Sequence, residues 1–170
     1  TQYPSVTTIT LPKNQGKGKA LQTGFEQARA MGYDYALTLD SDGQHYPEDI
    51  PAFIEALAAE ESPVLLVGNR DMQQEGVPKK SSFGHRFSNF WFRLETGVAL
   101  PDTQSGYRLY PLHFIPKKYY TQKFEFEIEI LVRSSWRGIA VKPVPIRVLY
   151  DPAERVSHFR PFRDFTRISI

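Results

Sequence analysis

The sequence predicts an α/β fold in which short apolar strands alternate with amphipathic helices. Three observations lead there: strand-like runs at Tyr35–Leu39 and Val64–Val67, helical apolar spacing around them, and glycine or proline at the boundaries. Such alternation implies a largely parallel sheet covered by helices. A chain of 170 residues has room for one domain with a real core. Hydrophobic residues make up 41% and charged residues 24%, which excludes a disordered tail or a fibre.

Each element has its own signal. Val6–Leu11 (VTTITL) is short and β-branched and reads as the first strand. A turn rich in Lys and Gly follows, from Lys13 to Lys19. Ala20, Leu21, Gly24, Phe25 and Ala28 then recur at helical spacing, with a stop near Gly32. Tyr35–Leu39 (YALTL) is a second strand that runs into Asp40-Ser41-Asp42-Gly43. Pro47 suits the first turn of the next helix, whose apolar stripe is Ile50, Phe53, Ile54 and Leu57. Val64–Val67 (VLLV) reads as a buried strand.

The second half is less regular. Phe87, Phe90, Trp91 and Leu94 fall at helical spacing before Gly97, and the Phe87, Phe90, Trp91 stripe reads as core. Phe124–Leu131 (FEFEIEIL) alternates like a strand, yet its continuation through Trp136 and the stop at Gly138 favour a helix. Ile139–Leu149 is β-branched but contains Pro143 and Pro145, which fits an edge strand or strand pair.

Several function classes fall away. With no cysteine there is neither a disulfide scaffold nor thiol-ligated zinc. No apolar run approaches the roughly 18 residues of a membrane helix, and no signal peptide is visible. A net charge of +2 makes no case for a nucleic-acid partner. An EF-hand loop beginning at Asp40 would need Gly at His45 and Glu at Pro51. Gly16-Lys17-Gly18-Lys19 lacks the leading glycine and the hydroxyl residue of a P-loop.

The chemistry concentrates at the end of the second predicted strand. Asp40 and Asp42 stand two apart, so in an extended segment their side chains point the same way. Two hard carboxylates at a strand end can share one divalent cation, and that cation can bridge a diphosphate. An Asp-x-Asp triplet also occurs by chance in ordinary turns, so the pair alone is a weak signal. His45, just beyond, reads as a loop histidine.

The run KNQGKGKALQTGFEQA followed by LTLDSDGQHYPEDIP resembles family 2 glycosyltransferases of the GT-A fold. Within them it is similar to the polyprenyl-phosphate sugar synthases, the group that includes dolichyl-phosphate mannose synthase. VGNR (Val67–Arg70), DTQSGYRLYP (Asp102–Pro111) and FEFEIEILVRSSWRGIAVKPVPI (Phe124–Ile146) follow in the same order, so the resemblance covers nearly the whole chain. It implies a Rossmann-like mixed sheet flanked by helices. It implies that Asp40, Asp42 and Gln44 hold Mg²⁺ or Mn²⁺ against the donor diphosphate. Arg70 would face phosphate and Arg86 would receive the acceptor phosphate. Arg108 and Asp102 would complete the catalytic set, with Lys17, Gly18, Ser105 and Gly106 binding substrate.

The resemblance has two gaps, one before Thr1 and one after Ile170, where lipid-phosphate members often continue into membrane helices that this sequence does not include. The family's opening strand and its Asp-Gly-Ser turn, which bind the nucleotide base, have no counterpart, and Thr1 aligns after them. Residues 1–150 thus correspond to a partial GT-A catalytic domain. Residues 151–170 form a separate basic and aromatic segment. From Arg155 onward it holds four arginines against one acid, interleaved with Phe159, Phe162, Phe165 and Ile168. That mixture suits an anionic membrane interface, where Arg160 would help deliver a lipid phosphate.

A phosphate monoester acceptor is already anionic near neutral pH, since its second pKa is about 6. Such a nucleophile needs no general base; it needs cations that bring two anions together, which Arg70, Arg86 and Arg108 supply. The expected function is therefore inverting, metal-dependent transfer of a hexose from a GDP-mannose or UDP-glucose type donor to polyprenyl phosphate. The expected location is the cytoplasmic face of a membrane, with the chain itself soluble. Two rivals stay open: sugar-to-sugar transfer with Glu95 or Glu125 as base, and a nucleotide or carbohydrate binding module without turnover.

Overall fold

A computed structural model describes residues 6–70, 79–123 and 125–149, with side chains in the third helix described from His85 onward. The elements run α1 (Lys17–Ala30), β1 (Tyr35–Thr38), a 3₁₀ turn (Pro47–Asp49), α2 (Ile50–Ala58), β2 (Val64–Arg70), α3 (Lys79–Thr96), β3 (Arg108–Pro111), α4 (Phe126–Trp136) and β4 (Ala140–Ile146). The four strands form one sheet in the order β1-β3-β2-β4.

The sheet is mixed, as the family resemblance implies: β1, β2 and β4 run one way and β3 runs against them. β3 runs antiparallel to both β1 and β2, and β2 pairs with β4 in parallel. The connection from β2 to β3 contains α3 and the loop after it, and it brings β3 back beside β2 in the opposite direction. β4 stands at the sheet edge with Pro143 and Pro145 in register with Val67 and Asn69. A proline lacks the N–H that an inner strand must donate on both sides, which is why an edge accommodates two.

Both faces of the sheet are covered. Along β2, Leu65 and Val67 join Phe25 of α1, Phe92 of α3 and Phe126, Ile130 and Leu131 of α4 in one core. Val64 and Leu66 point the other way, toward Phe53 of α2, Leu109, Val144 and Ile146. Burial on both faces explains why β2 reads as continuous VLLV rather than as an alternating strand.

Two expectations are corrected. Val6–Leu11 forms no strand, and Val6 and Ile9 are exposed. β-branched residues make a strand only where a neighbouring edge and an apolar face exist to receive them. In α3, the Phe87, Phe90, Trp91 stripe is core only in part: Phe87 and Trp91 are half-buried, but Phe90 is 59% exposed, Leu94 is 63% exposed, and the fully buried aromatic is Phe92. The sheet-facing side of α3 also carries His85 and Ser88, which are buried polar residues with partners in the site. Phe124 lies outside the described residues, and the helix expected there begins at Phe126.

Candidate active site

Asp40 emerges just beyond β1, where Thr38 pairs with Arg108 at the start of β3. The Thr38 hydroxyl donates to the Gly106 carbonyl at 2.7 Å, pinning the two segments together. Gly106 then lies directly against the Asp40 carboxylate, and a Cβ at that position would overlap it. The acidic strand end and the Ser105–Gly106 turn are therefore one surface.

Lys17 joins this surface from the first turn of α1. Its ammonium sits 2.6 Å from Asp40 Oδ1 and 3.1 Å from Glu127 Oε1. Burial pulls the Lys17 pKa down, but Glu127 and Asp40 outweigh it, and the net shift is upward. The backbone explains how Lys17 arrives there. Gly16 adopts a positive φ of 91°, and Gly18 is buried so tightly that a Cβ would strike Phe126 and the Gln122 backbone. The Lys19 amide donates to the Gln122 carbonyl at 3.0 Å. The two helix starts are thereby pressed together, with Lys17 between them and Asp40. Gly18 thus acts through packing.

Asp42 is exposed, and its Oδ1 accepts the Gln44 amide at 3.1 Å in a tight Asx turn. Gln44 in turn accepts from the Leu149 amide at 3.0 Å, and His45 bridges to Val148. The acidic loop is thus tied to the segment after β4. His45 packs against Tyr107, with ring centroids 5.2 Å apart. Burial lowers its pKa, against the pull of Asp40 and Asp42, so the ring is neutral near pH 7.

A second, cationic wall stands on the other side of Ser105. Asp102 is 1% exposed and anchors it. Arg70 donates to Asp102 through Nε at 2.6 Å and Nη2 at 3.0 Å, a bidentate clamp. The backbone amides of Gln104 and Ser105 add contacts at 3.0 and 3.1 Å, and His85 Nε2 of α3 lies 3.0 Å away. Burial alone would raise the Asp102 pKa; the nearby His85 ring and the paired Arg70 overcome it and hold the carboxyl well below the usual carboxylate range. A carboxylate so enclosed orients Arg70.

Arg108 is fully buried at the floor. It donates to the carbonyls of Ser105 at 2.6 Å, Glu127 at 2.7 Å and Thr103 at 2.9 Å, binding the turn to α4. Thr103 is also held from α3 by Asn89 at 3.0 Å and Ser88 at 2.7 Å. Arg86 is exposed on α3, and Phe90 and Leu94 follow it at four-residue spacing on the same outward stripe. The structure therefore gathers Lys17, Asp40, Ser105 and Gly106, with Asp102 and Arg70 alongside, while Asp42 and Gln44 follow Asp40 in the adjoining loop. Arg160 lies outside the described residues.

Glu127 and His85 escaped the sequence reading. Glu127 is 8% exposed, in the first turn of α4. The readable signal was its place among Phe126, Ile130 and Leu131 on the buried face of the helix, where an acid needs a partner. The other acids of the same run, Glu125 and Glu129, lack that placement.

Residues 1–115 match the profile of Glycosyl transferase family 2. The chain belongs to that family. Among curated relatives, this family 2 chain is 29% identical over 151 residues to the UDP-N-acetylglucosamine–dolichyl-phosphate N-acetylglucosaminyltransferase of Methanococcus voltae, covering 85% of the chain and 60% of the relative. It is 27% identical over 150 residues to the undecaprenyl-phosphate mannosyltransferase of Micrococcus luteus, covering 84% and 60%. Saccharomyces cerevisiae dolichyl-phosphate beta-glucosyltransferase is 27% identical over 164 residues, covering 85% and 47%. Glucosyl-3-phosphoglycerate synthase from Mycobacterium tuberculosis, solved with Mn²⁺ and UDP-glucose, superposes with a TM-score of 0.60 at 20% identity. That match covers 94% of this chain and 52% of the solved one. The fold is the GT-A one expected from the motifs. The chain spans three fifths or less of each of these relatives.

Asp40, Asp42 and Gln44 offer only hard oxygen donors, the chemistry that Mg²⁺ and Mn²⁺ prefer. Among the described residues there is no cluster of three or more His, Cys, Asp or Glu arranged to hold a metal. Two carboxylates with an amide still suit Mg²⁺, which keeps waters and takes substrate phosphate oxygens to complete its shell. The donor set fits the group.

Proposed function

We propose that the protein containing this chain transfers a hexose from a nucleotide sugar to the phosphate of a polyprenyl lipid, with inversion at the anomeric carbon. The supporting observation is the meeting of Asp40 with Gly106, next to Ser105, whose amide is held by the same Asp102 carboxylate that clamps Arg70. Asp40, Asp42 and Gln44 would hold Mg²⁺ or Mn²⁺, which neutralises charge on a departing diphosphate. Lys17, paired with Asp40, would supply a further positive charge beside that diphosphate. Arg70, fixed by Asp102, presents positive charge without having to reorganise.

The acceptor reading draws on α3 and on the named relatives. Arg86, Phe90 and Leu94 form one exposed stripe with a cation at one end and apolar groups beyond it. A lipid phosphate has that same order of charge and hydrocarbon. An anionic acceptor needs no base. No helix among the described residues is long and apolar enough to cross a membrane. Contact with the cytoplasmic face would fall to this stripe and to the basic segment 151–170, including Arg160.

The test is an assay of the full-length protein with radiolabelled GDP-mannose, UDP-glucose and UDP-N-acetylglucosamine. Label moving to polyprenyl phosphate, and stopping when divalent cations are chelated, supports the proposal. Transfer to an oligosaccharide instead, or to nothing, overturns it.

A further inference from the structure

The ion pairs around Lys17 have a consequence for how the site is loaded. The ammonium lies between carboxylates from two different elements, 2.6 Å from Asp40 and 3.1 Å from Glu127. Glu127 is nearly buried, and its Oε1 has no hydrogen-bond partner in good geometry. The α1 backbone beneath Lys17 is fixed by the Lys19–Gln122 bond and by the packing of Gly18, so only the four-carbon side chain is free to move. Gly106 blocks Asp40 on another side. Lys17 thus occupies a lone-pair position of Asp40 Oδ1 that a cation would need.

We propose that Lys17 is a resident cation that competes with the divalent metal for Asp40. This rests on the reading of Asp40 as a metal ligand. A doubly charged ion on Asp40 would lie within a few ångströms of the ammonium, and like charges at that range repel strongly even in a partly solvated site. Lys17 must therefore leave Asp40 as metal arrives. Its stem can carry the ammonium toward an incoming diphosphate, while Glu127 marks the position to which it returns. Metal binding is consequently weak on its own and strengthened by the donor's diphosphate. Empty protein keeps its carboxylates neutralised instead of scavenging free cations.

The proposal is tested on the full-length protein with Mn²⁺ as the probe, followed by electron paramagnetic resonance, and by lysine acylation read by mass spectrometry. Without nucleotide, Lys17→Met should bind Mn²⁺ about tenfold tighter than wild type, as loss of a directly opposed charge requires. Lys19→Met, which removes a nearby charge not paired with Asp40, should stay close to wild type. In wild-type protein, Mn²⁺ should raise acylation of Lys17 several-fold and leave Lys142, paired with Glu60 outside the site, unchanged. The acylation arm needs no variant, so it stands if Lys17→Met folds poorly. If Mn²⁺ binds wild type, Asp40→Asn abolishes that binding, and Lys17 acylation and Lys17→Met affinity do not move, the competition is refuted while the metal site survives. If Mn²⁺ binds neither wild type nor Lys17→Met, both fall.

Discussion

A Cβ atom on Gly106 would overlap the carboxylate of Asp40. The atoms in conflict belong to the end of a side chain, which can turn away. Gly106→Ala is therefore expected to fold with little loss of stability and to lose most of its turnover, because Asp40 is displaced from its position. Thermal unfolding beside a transfer assay checks this. Equal activity in the two proteins would show that the position of Asp40 is not critical.

Gly18 makes the opposite kind of contact. Its missing Cβ would meet Phe126 and the Gln122 backbone, neither of which can rotate out of the way. Gly18→Ala should push the start of α1 off α4 and cost about 1–3 kcal/mol, the usual penalty for overpacking. Denaturant unfolding gives the number. Lys17 would shift with the helix, so activity should fall as well.

Asp102 predicts an acid-limb effect. Its folded pKa is depressed, and an unfolded Asp titrates near 3.9. The stability it contributes is thus fully present above about pH 4 and is lost as pH falls toward the folded value. Asp102→Asn should destabilise the protein near pH 7 by about 3 kcal/mol, since it leaves Arg70 without its buried counter-charge. The difference between variant and wild type should shrink below about pH 4. Urea unfolding across pH 3–7 measures both, and a gap that stays constant with pH would be the wrong result.

How much of this was legible in the sequence depended on whether the signal was local. α1, α2, β2 and α4 follow from periodicity and boundary residues, and the proline-marked edge strand β4 was readable for the same reason. The direction of β3 was not, because strand polarity is decided by connections and not by residues. The α3 face was partly misread because Phe87, Phe90 and Trp91 outweigh Phe92 in a count of apolar residues. What decides the orientation is the need to bring His85, Ser88 and Asn89 to Asp102 and Thr103. Asp40, Asp42 and the Ser105–Gly106 turn stood out as motifs. Glu127 did not, because its role depends on Lys17, which is far from it in sequence.

Asp42 and Asp40 should separate in experiment. Asp42 is exposed and, among the described residues, its side chain bonds the local Gln44 amide, whereas Asp40 is paired with Lys17 and packed on Gly106. Asp42→Asn is expected to keep wild-type stability, as an asparagine oxygen can accept the same bond, and to lose metal-dependent turnover. Full activity of this variant in the presence of a chelator would remove Asp42 from the metal site.

Arg108 supplies the sharpest contrast between a residue that binds ligand and one that holds the floor. Its guanidinium uses three nitrogens on three backbone carbonyls, those of Ser105, Glu127 and Thr103. A lysine keeps the positive charge but offers one compact ammonium in place of a planar fork, so it cannot reach all three. Arg108→Lys should leave at least one of the buried loop carbonyls of Ser105 and Thr103 unpaired, at about 1–3 kcal/mol. If Arg108 acts on phosphate directly, the charge-preserving variant should instead be nearly as stable as wild type and show its defect in the KM for the donor. Chemical denaturation together with donor saturation curves distinguishes the two. The expected outcome is a large loss of stability, with the KM of the surviving folded fraction little changed.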